Sequence, residues 1–188
     1  SISNTSLNLV SLAIRGTRSS GLLEGADVLA TIDALIALGA DIEKTASGDW
    51  QVAGVGLHGM ISPATPLDLG NSGTGVRLLM GVVAGQNITA TFVGDASLSS
   101  RPMARITTPL AAIGAGIASR EEQLPVTITG TPTPMARQHQ SQVASAQIKS
   151  AILLAGLNAR GITEIVEPNA SRDHSESMLR YFGADVQQ

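Results

Sequence analysis

Leu38-Gly39-Ala40-Asp41-Ile42 is the stretch that decides the fold, because it returns twice. Ile113-Gly114-Ala115-Gly116-Ile117 and Phe182-Gly183-Ala184-Asp185-Val186 repeat its pattern at glycine steps of 75 and 69 residues. In each, the glycine reads as a helix C-terminal stop that leads into a β-branched strand start. Before the first, Val28, Ile32, Leu35 and Leu38 form a 3.6-residue apolar stripe, predicting a helix from about 26 to 38. After it come two strands, over 41–46 and 50–53, joined through Ser47-Gly48-Asp49. The second unit matches with strands at 116–120 and 125–129.

Working outward, each unit opens with an apolar helix ending near Arg15-Gly16, Gln86-Asn87 and Arg160-Gly161, followed by a short strand at 89–93 and 162–166 in the later two. The unit therefore reads helix, strand, helix, strand, strand, with boundaries near 1–66, 67–133 and 134–188. This predicts a single α/β lobe of three helix-strand repeats. Whether helices or sheets face inward is open. The third unit is incomplete, reaching Gln188 just inside its first post-glycine strand, and the chain opens without Met. The expectation is a piece of a longer protein.

Composition narrows the function. Hydrophobic residues are 43% and charged residues 14%, enough for a packed core. A net charge of −3 and 2% aromatics argue against nucleic acid as a partner. No apolar run reaches the ~18 residues of a membrane span. Cysteine is absent, which removes thiolate nucleophiles, disulfides and Cys-based zinc sites and fits a cytoplasmic protein. His58, His139 and His174 are far apart, so no metal site is expected.

The first helix of each unit starts in small polar residues: Ser1 to Ser6, Asn71-Ser72-Gly73-Thr74-Gly75, and Ser145-Ala146-Gln147. Helix starts carry unpaired N–H groups and a positive dipole end, and so attract phosphate and carboxylate. Ordinary N-capping explains any one of them; three equivalent starts gathered by symmetry make an anion-binding rim. Arg77, Arg101 and Arg172 lie near these starts and suit bidentate anion contacts. Arg101 reads as sitting at a helix start, against the dipole, which calls for a compensating reason. Asp95 and Asp173 read as caps or ion-pair partners of Arg101 and Arg172. Lys149, two residues beyond Gln147, points away from it and reads as structural or peripheral. Trp50 reads as a strand residue over a core edge. GNSGTGVR (70–77) has the wrong glycine spacing for a dinucleotide fingerprint and no lysine for a phosphate loop. No proton-transfer group stands out, so no catalytic residue is assigned.

Taken together, LDLGNSGTGVRLL (67–79), GDASLSSRPM (94–103), SAQIKSAILLAGL (145–157), SRDHSESML (171–179) and GLLEGADVLAT (21–31) resemble the signature blocks of 5-enolpyruvylshikimate-3-phosphate synthases, in the right order across nearly the whole chain. The resemblance implies an inside-out α/β fold of two lobes, each of three repeats, with this chain as most of the lobe that mainly holds shikimate 3-phosphate. The second lobe of the same polypeptide would be its partner. The implied reaction moves the enolpyruvyl group of phosphoenolpyruvate onto the 5-hydroxyl through a tetrahedral ketal phosphate, with no cofactor. By resemblance, Ser1, Ser145, Gln147, Ser171 and Arg172 face shikimate 3-phosphate. Asn71, Gly73, Arg101 and Gln147 face phosphoenolpyruvate, and Arg77 supports their loop. Gly73, where family members that exclude glyphosate tend to carry Ala, implies sensitivity to that inhibitor.

Two departures accompany the match. The lysine that the family places before the residue matching Ser1 lies outside this sequence. Thr5 stands where the family has an arginine, a loss of about 1.5–3 kcal/mol for a charged hydrogen bond to substrate. An isolated lobe is expected to bind weakly and not turn over. Two other readings remain: an inactive or engineered binding lobe, and a transferase acting on UDP-N-acetylglucosamine. The latter group usually carries a loop cysteine.

Overall fold

The computed structural model describes residues 2–188. In the first passage α1 (Ile2–Leu12) is followed by β1 (Gly16–Ser19), α2 (Ala26–Ala37), β2 (Asp41–Lys44) and β3 (Trp50–Ala53). In the second, β4 (Leu67–Asp68) leads into α3 (Gly73–Ala84), β5 (Thr89–Val93), the pair α4 (Ala96–Ser99) and α5 (Ala104–Ala112), then β6 (Gly116–Arg120) and β7 (Gln123–Thr129). The third gives β8 (Gln138–Gln140), α6 (Ala146–Gly156), β9 (Glu164–Val166) and α7 (His174–Tyr181).

The three glycine stops are built alike. Gly39, Gly114 and Gly183 have φ of +99°, +109° and +92°, the region where a side chain is disfavoured. In each, the N–H three residues past the helix donates back to a leucine carbonyl: Ala40 to Leu35, Ala115 to Leu110 and Ala184 to Leu179, at 3.0, 3.2 and 2.9 Å. That closing bond satisfies an otherwise orphaned carbonyl, and all three leucines are buried.

Sheet order also recurs. β1-β3-β2 and β5-β7-β6 share one antiparallel arrangement. The short leading strands β4 and β8, absent from the sequence reading, pair in parallel with β5 and β9. Residues 184–188, expected to begin a strand, form none: among the described residues no segment pairs with them in a ladder. The second helix of the middle unit is split, since the turn holding Arg101 and Pro102 separates α4 from α5.

Helices face inward. α3 is buried from Val76 through Ala84 except at Arg77, and α6 is buried over most of its length, while the strands alternate buried and exposed residues. α3 and α6 approach backbone to backbone. A Cβ on Gly81 would collide with the Ala151 carbonyl oxygen, and one on Gly85 would lie 2.5 Å from that of Ala155. Two glycines one turn apart thus face two alanines one turn apart.

At the C-terminal ends one side chain joins the three passages. The Asn158 amide, just past α6, donates to the Leu57 carbonyl at 3.0 Å and to the Gly85 carbonyl at 2.8 Å. Leu57 follows the segment in which Val55 and Gly56 bond to the Ser11 and Ala13 carbonyls at the end of α1. Because the C-terminal ends of α1, α3 and α6 meet there, their N-terminal ends gather at the opposite pole.

Candidate functional site: a rim of helix N-termini

Two of the three helix starts are joined directly. Gln147, in the first turn of α6, donates to Thr74 Oγ1 at 2.9 Å and accepts from Arg77 at 3.1 Å. Arg77 also donates to the Gly73 carbonyl at 2.9 Å, closing the first turn of α3. The third start is tied through α2. Asn4 of α1 donates to Asp27 at 3.2 Å, and Thr31, one turn on, faces Gly75 of α3 so closely that a Cβ there would lie 2.5 Å from its hydroxyl. Ser1 lies outside the described residues. Thr5 is buried in α1.

Around α3, Ser72 caps the helix by accepting the Gly75 N–H at 3.1 Å. Asn71 is a relay: its amide nitrogen donates to both Asp95 oxygens at 3.0 and 2.8 Å, and its carbonyl oxygen accepts from Arg101 at 2.7 Å. The other arm of Arg101 faces Gly73, where an added Cβ would lie 2.8 Å from Nη1 and 3.1 Å from the Arg77 guanidinium. Gly73 is therefore a gap between two cations. Among the described residues neither arginine forms an ion pair. Burial lowers the Arg77 pKa, and the neighbouring charges of Arg101 and Arg105 lower it further. Two guanidiniums flanking one gap without a paired carboxylate are the electrostatic form of an anion site.

Asp95 takes the capping role, accepting the Leu98 N–H at 2.7 Å, and the Asn71 bond first, then that cap, hold its pKa below the usual carboxylate value. The expected ion pairs of Asp95 with Arg101 and of Asp173 with Arg172 do not form among the described residues. Asn71 stands between the first pair, and Asp173 occupies the N-cap position of α7 without a side-chain cap bond. Arg101 does not start a helix. It follows Ser100, the C-cap of α4, where a cation faces carbonyl ends, and the dipole objection disappears.

Around α6 the chemistry differs. The Ser145 hydroxyl caps the helix at 3.5 Å from the Ile148 nitrogen, and its backbone N–H donates to Glu167 at 2.9 Å. Ser171 donates its hydroxyl to the same carboxylate at 2.7 Å. Lys149 is not peripheral. It is 9% exposed, and its ammonium lies 2.7 Å from Glu176 and 3.3 Å from Glu167. Arg172 is exposed and, among the described residues, has no hydrogen-bond or ion-pair partner.

A continuous path therefore runs Arg101, Asn71, Gly73, Arg77, Gln147, Ser145, Glu167, Ser171. Sequence reasoning missed Lys149, Glu167 and Glu176 as a set, along with Thr74 and Arg105. A lysine two residues before the apolar run AILLAG (151–156) was the available signal, since a buried ammonium demands carboxylates.

The family profile described as EPSP synthase (3-phosphoshikimate 1-carboxyvinyltransferase) matches residues 1–188. Proteins named 3-phosphoshikimate 1-carboxyvinyltransferase from Parvibaculum lavamentivorans and Granulibacter bethesdensis are 54% and 55% identical over the full chain. A solved EPSP synthase from Acinetobacter baumannii superposes with a TM-score of 0.94 at 46% identity, covering all of this chain and 42% of that one. The chain spans 42% and 41% of the two relatives' lengths. No helix among the described residues is long and apolar enough to cross a membrane.

Proposed function

The chain belongs to the EPSP synthase family, and from that premise we propose that it supplies the shikimate 3-phosphate-holding half of an enolpyruvyl transferase. The reaction moves the enolpyruvyl group of phosphoenolpyruvate onto the 5-hydroxyl of shikimate 3-phosphate. Ser145, Gln147, Ser171 and Arg172 face the phosphorylated acceptor, together with Ser1. Asn71, Gly73 and Arg101 face phosphoenolpyruvate, Gln147 lies between the two, and Arg77 holds the turn. The acid-base groups belong to a second lobe of the same polypeptide, and no metal or organic cofactor enters. A cytoplasmic location, which a cysteine-free sequence fits, belongs to the same proposal.

The observation that carries the reading is Gln147. Each of its polar atoms gives one bond to the α3 turn and keeps a second N–H or lone pair for a ligand, so the arginine-lined gap and the serine cap become one surface. Two anions held side by side there gain from positioning and from charge stabilisation supplied in advance. Gly73 leaves room next to Arg101, whereas alanine there would press on the guanidinium, which fits sensitivity to glyphosate.

The test is an NMR titration of this chain with shikimate 3-phosphate, alongside an assay for phosphate release with both substrates. Weak binding that shifts the amides near Ser145 and Gly73, without turnover, is the expected result. Turnover by the chain alone, or shifts confined to another face, overturns it.

A further inference from the structure

Glu167 connects two elements of the rim. One oxygen accepts the Ser145 N–H, at the start of α6; the other accepts the Ser171 hydroxyl, in the turn between β9 and α7. Ser171 has one hydroxyl proton and gives it to Glu167. The groups this turn can offer an anion are then its backbone N–H groups and the neighbouring guanidinium of Arg172. Glu167 sets where those groups point.

A carboxylate in that position is electrostatically awkward. It braces a site proposed to receive a phosphate, and like charges at close range repel strongly where water is excluded. Lys149 answers this. Its Nζ lies 3.3 Å from the Glu167 oxygen that also holds Ser171, and 2.7 Å from Glu176 on α7. The seam continues one residue along α6, where the Ser150 and Ser175 hydroxyls meet at 2.5 Å. One ammonium thus serves two carboxylates, and Glu176 Oε2 is buried with no hydrogen-bond partner among the described residues. The cluster has no charge to spare, so loss of the lysine exposes the full repulsion.

We infer that Lys149 is a positioning residue, neutralising Glu167 so that this carboxylate can fix Ser145 and the Ser171–Arg172 turn without repelling the phosphate they face. The inference rests on the proposed substrate reading. The charge states agree with it. Burial alone would lower the Lys149 pKa, but Glu176 and then Glu167 outweigh burial and raise it. Burial would raise that of Glu167, yet Ser171, the Ser145 amide and Lys149 together bring it down.

The experiment titrates shikimate 3-phosphate into this chain and five variants by NMR, with melting curves to confirm folding. Lys149→Arg keeps the charge and binds within about twofold, whereas Lys149→Met weakens binding about tenfold. Glu167→Gln keeps one acceptor for the Ser145 N–H and offers the Ser171 hydroxyl oxygen a donor in place of the other. The brace therefore survives without the charge and binding stays within about twofold, whereas Glu167→Ala loses the brace and weakens binding about tenfold. The decisive arm is Lys149→Met with Glu167→Gln: binding recovers, because the unneutralised charge is gone. A merely structural ion pair predicts no recovery. Equal weakness of the single and double variants, or unchanged binding in Lys149→Met, overturns the inference while leaving the substrate reading intact. If Lys149→Met does not fold, the Glu167→Gln and Glu167→Ala pair decides, and equal affinities overturn it. No binding by the unaltered chain overturns the substrate reading and this inference with it.

Discussion

The N-terminal turns of α3 and α6 occupy equivalent places in successive repeats, yet they are built on opposite electrostatic plans. At α3, Arg77 and Arg101 flank Gly73 with no ion pair among the described residues, the charge of Arg105 acts on Arg77, and the nearby Asp95 is engaged by Asn71 and the Leu98 N–H. At α6, one buried ammonium is matched to two carboxylates, one of which holds Ser145 and Ser171. The first region stores positive charge held out of ion pairs; the second sets one ammonium between two carboxylates and contributes geometry. A repeated backbone can thus supply one rim with an attractive face and a shaped face.

The contrast breaks most completely if the two turns are pushed apart. Gly81→Val places a branched side chain against the Ala151 carbonyl. A loss of about 4 kcal/mol is expected, above ordinary overpacking because backbone rather than side chain must move. Denaturant unfolding reads it, and a loss below about 1 kcal/mol would mean that α3 and α6 are not in backbone contact.

A sharper comparison removes one cation from each region. Lys149→Met strands two buried carboxylates and costs about 3 kcal/mol. Arg77→Met gives up hydrogen bonds to Gly73 and Gln147 but relieves burial and repulsion, so it costs about 1 kcal/mol or less. Paired melting curves give the ranking. Equal losses would erase the distinction between the two plans.

The smallest effect is a pH response. Glu167 is held below its ordinary value of 4.5, so its contribution is present above that pH and lost as pH falls through the folded value. Lys149, held above 10.5, has the opposite sign: its contribution is present below 10.5 and lost at higher pH. Acid should therefore speed hydrogen exchange at the Ser145 amide while the arginines by α3 stay charged. Exchange corrected for intrinsic rate that stays flat through the whole acid range in which the chain remains folded contradicts this.

What the sequence disclosed follows from how local the information is. The three glycine stops were legible because each is a five-residue signal, and Val28, Ile32, Leu35 and Leu38 are all buried as their spacing required. Asn71, Gly73 and Arg101 were legible as neighbours because short, distinctive blocks carry them. Placing Lys149 opposite Gln147 on the helix was correct arithmetic, but that opposite face looks toward α7 and Glu176. Nothing local pairs residues 149, 167 and 176, since the contact exists only once three elements pack. The two-residue β4 and three-residue β8 were too short for any alternation to register.

Asn158 bears on how this molecule comes apart. Arrays of repeats ordinarily shed their terminal members one at a time, because each unit touches only its neighbours. Here a single amide fastens carbonyls from the first and second passages to the third, so peeling away the third orphans a carbonyl in each of the other two. The outcome expected from this tie is a single all-or-none denaturation with no stable two-thirds remnant, despite the modular look of the chain.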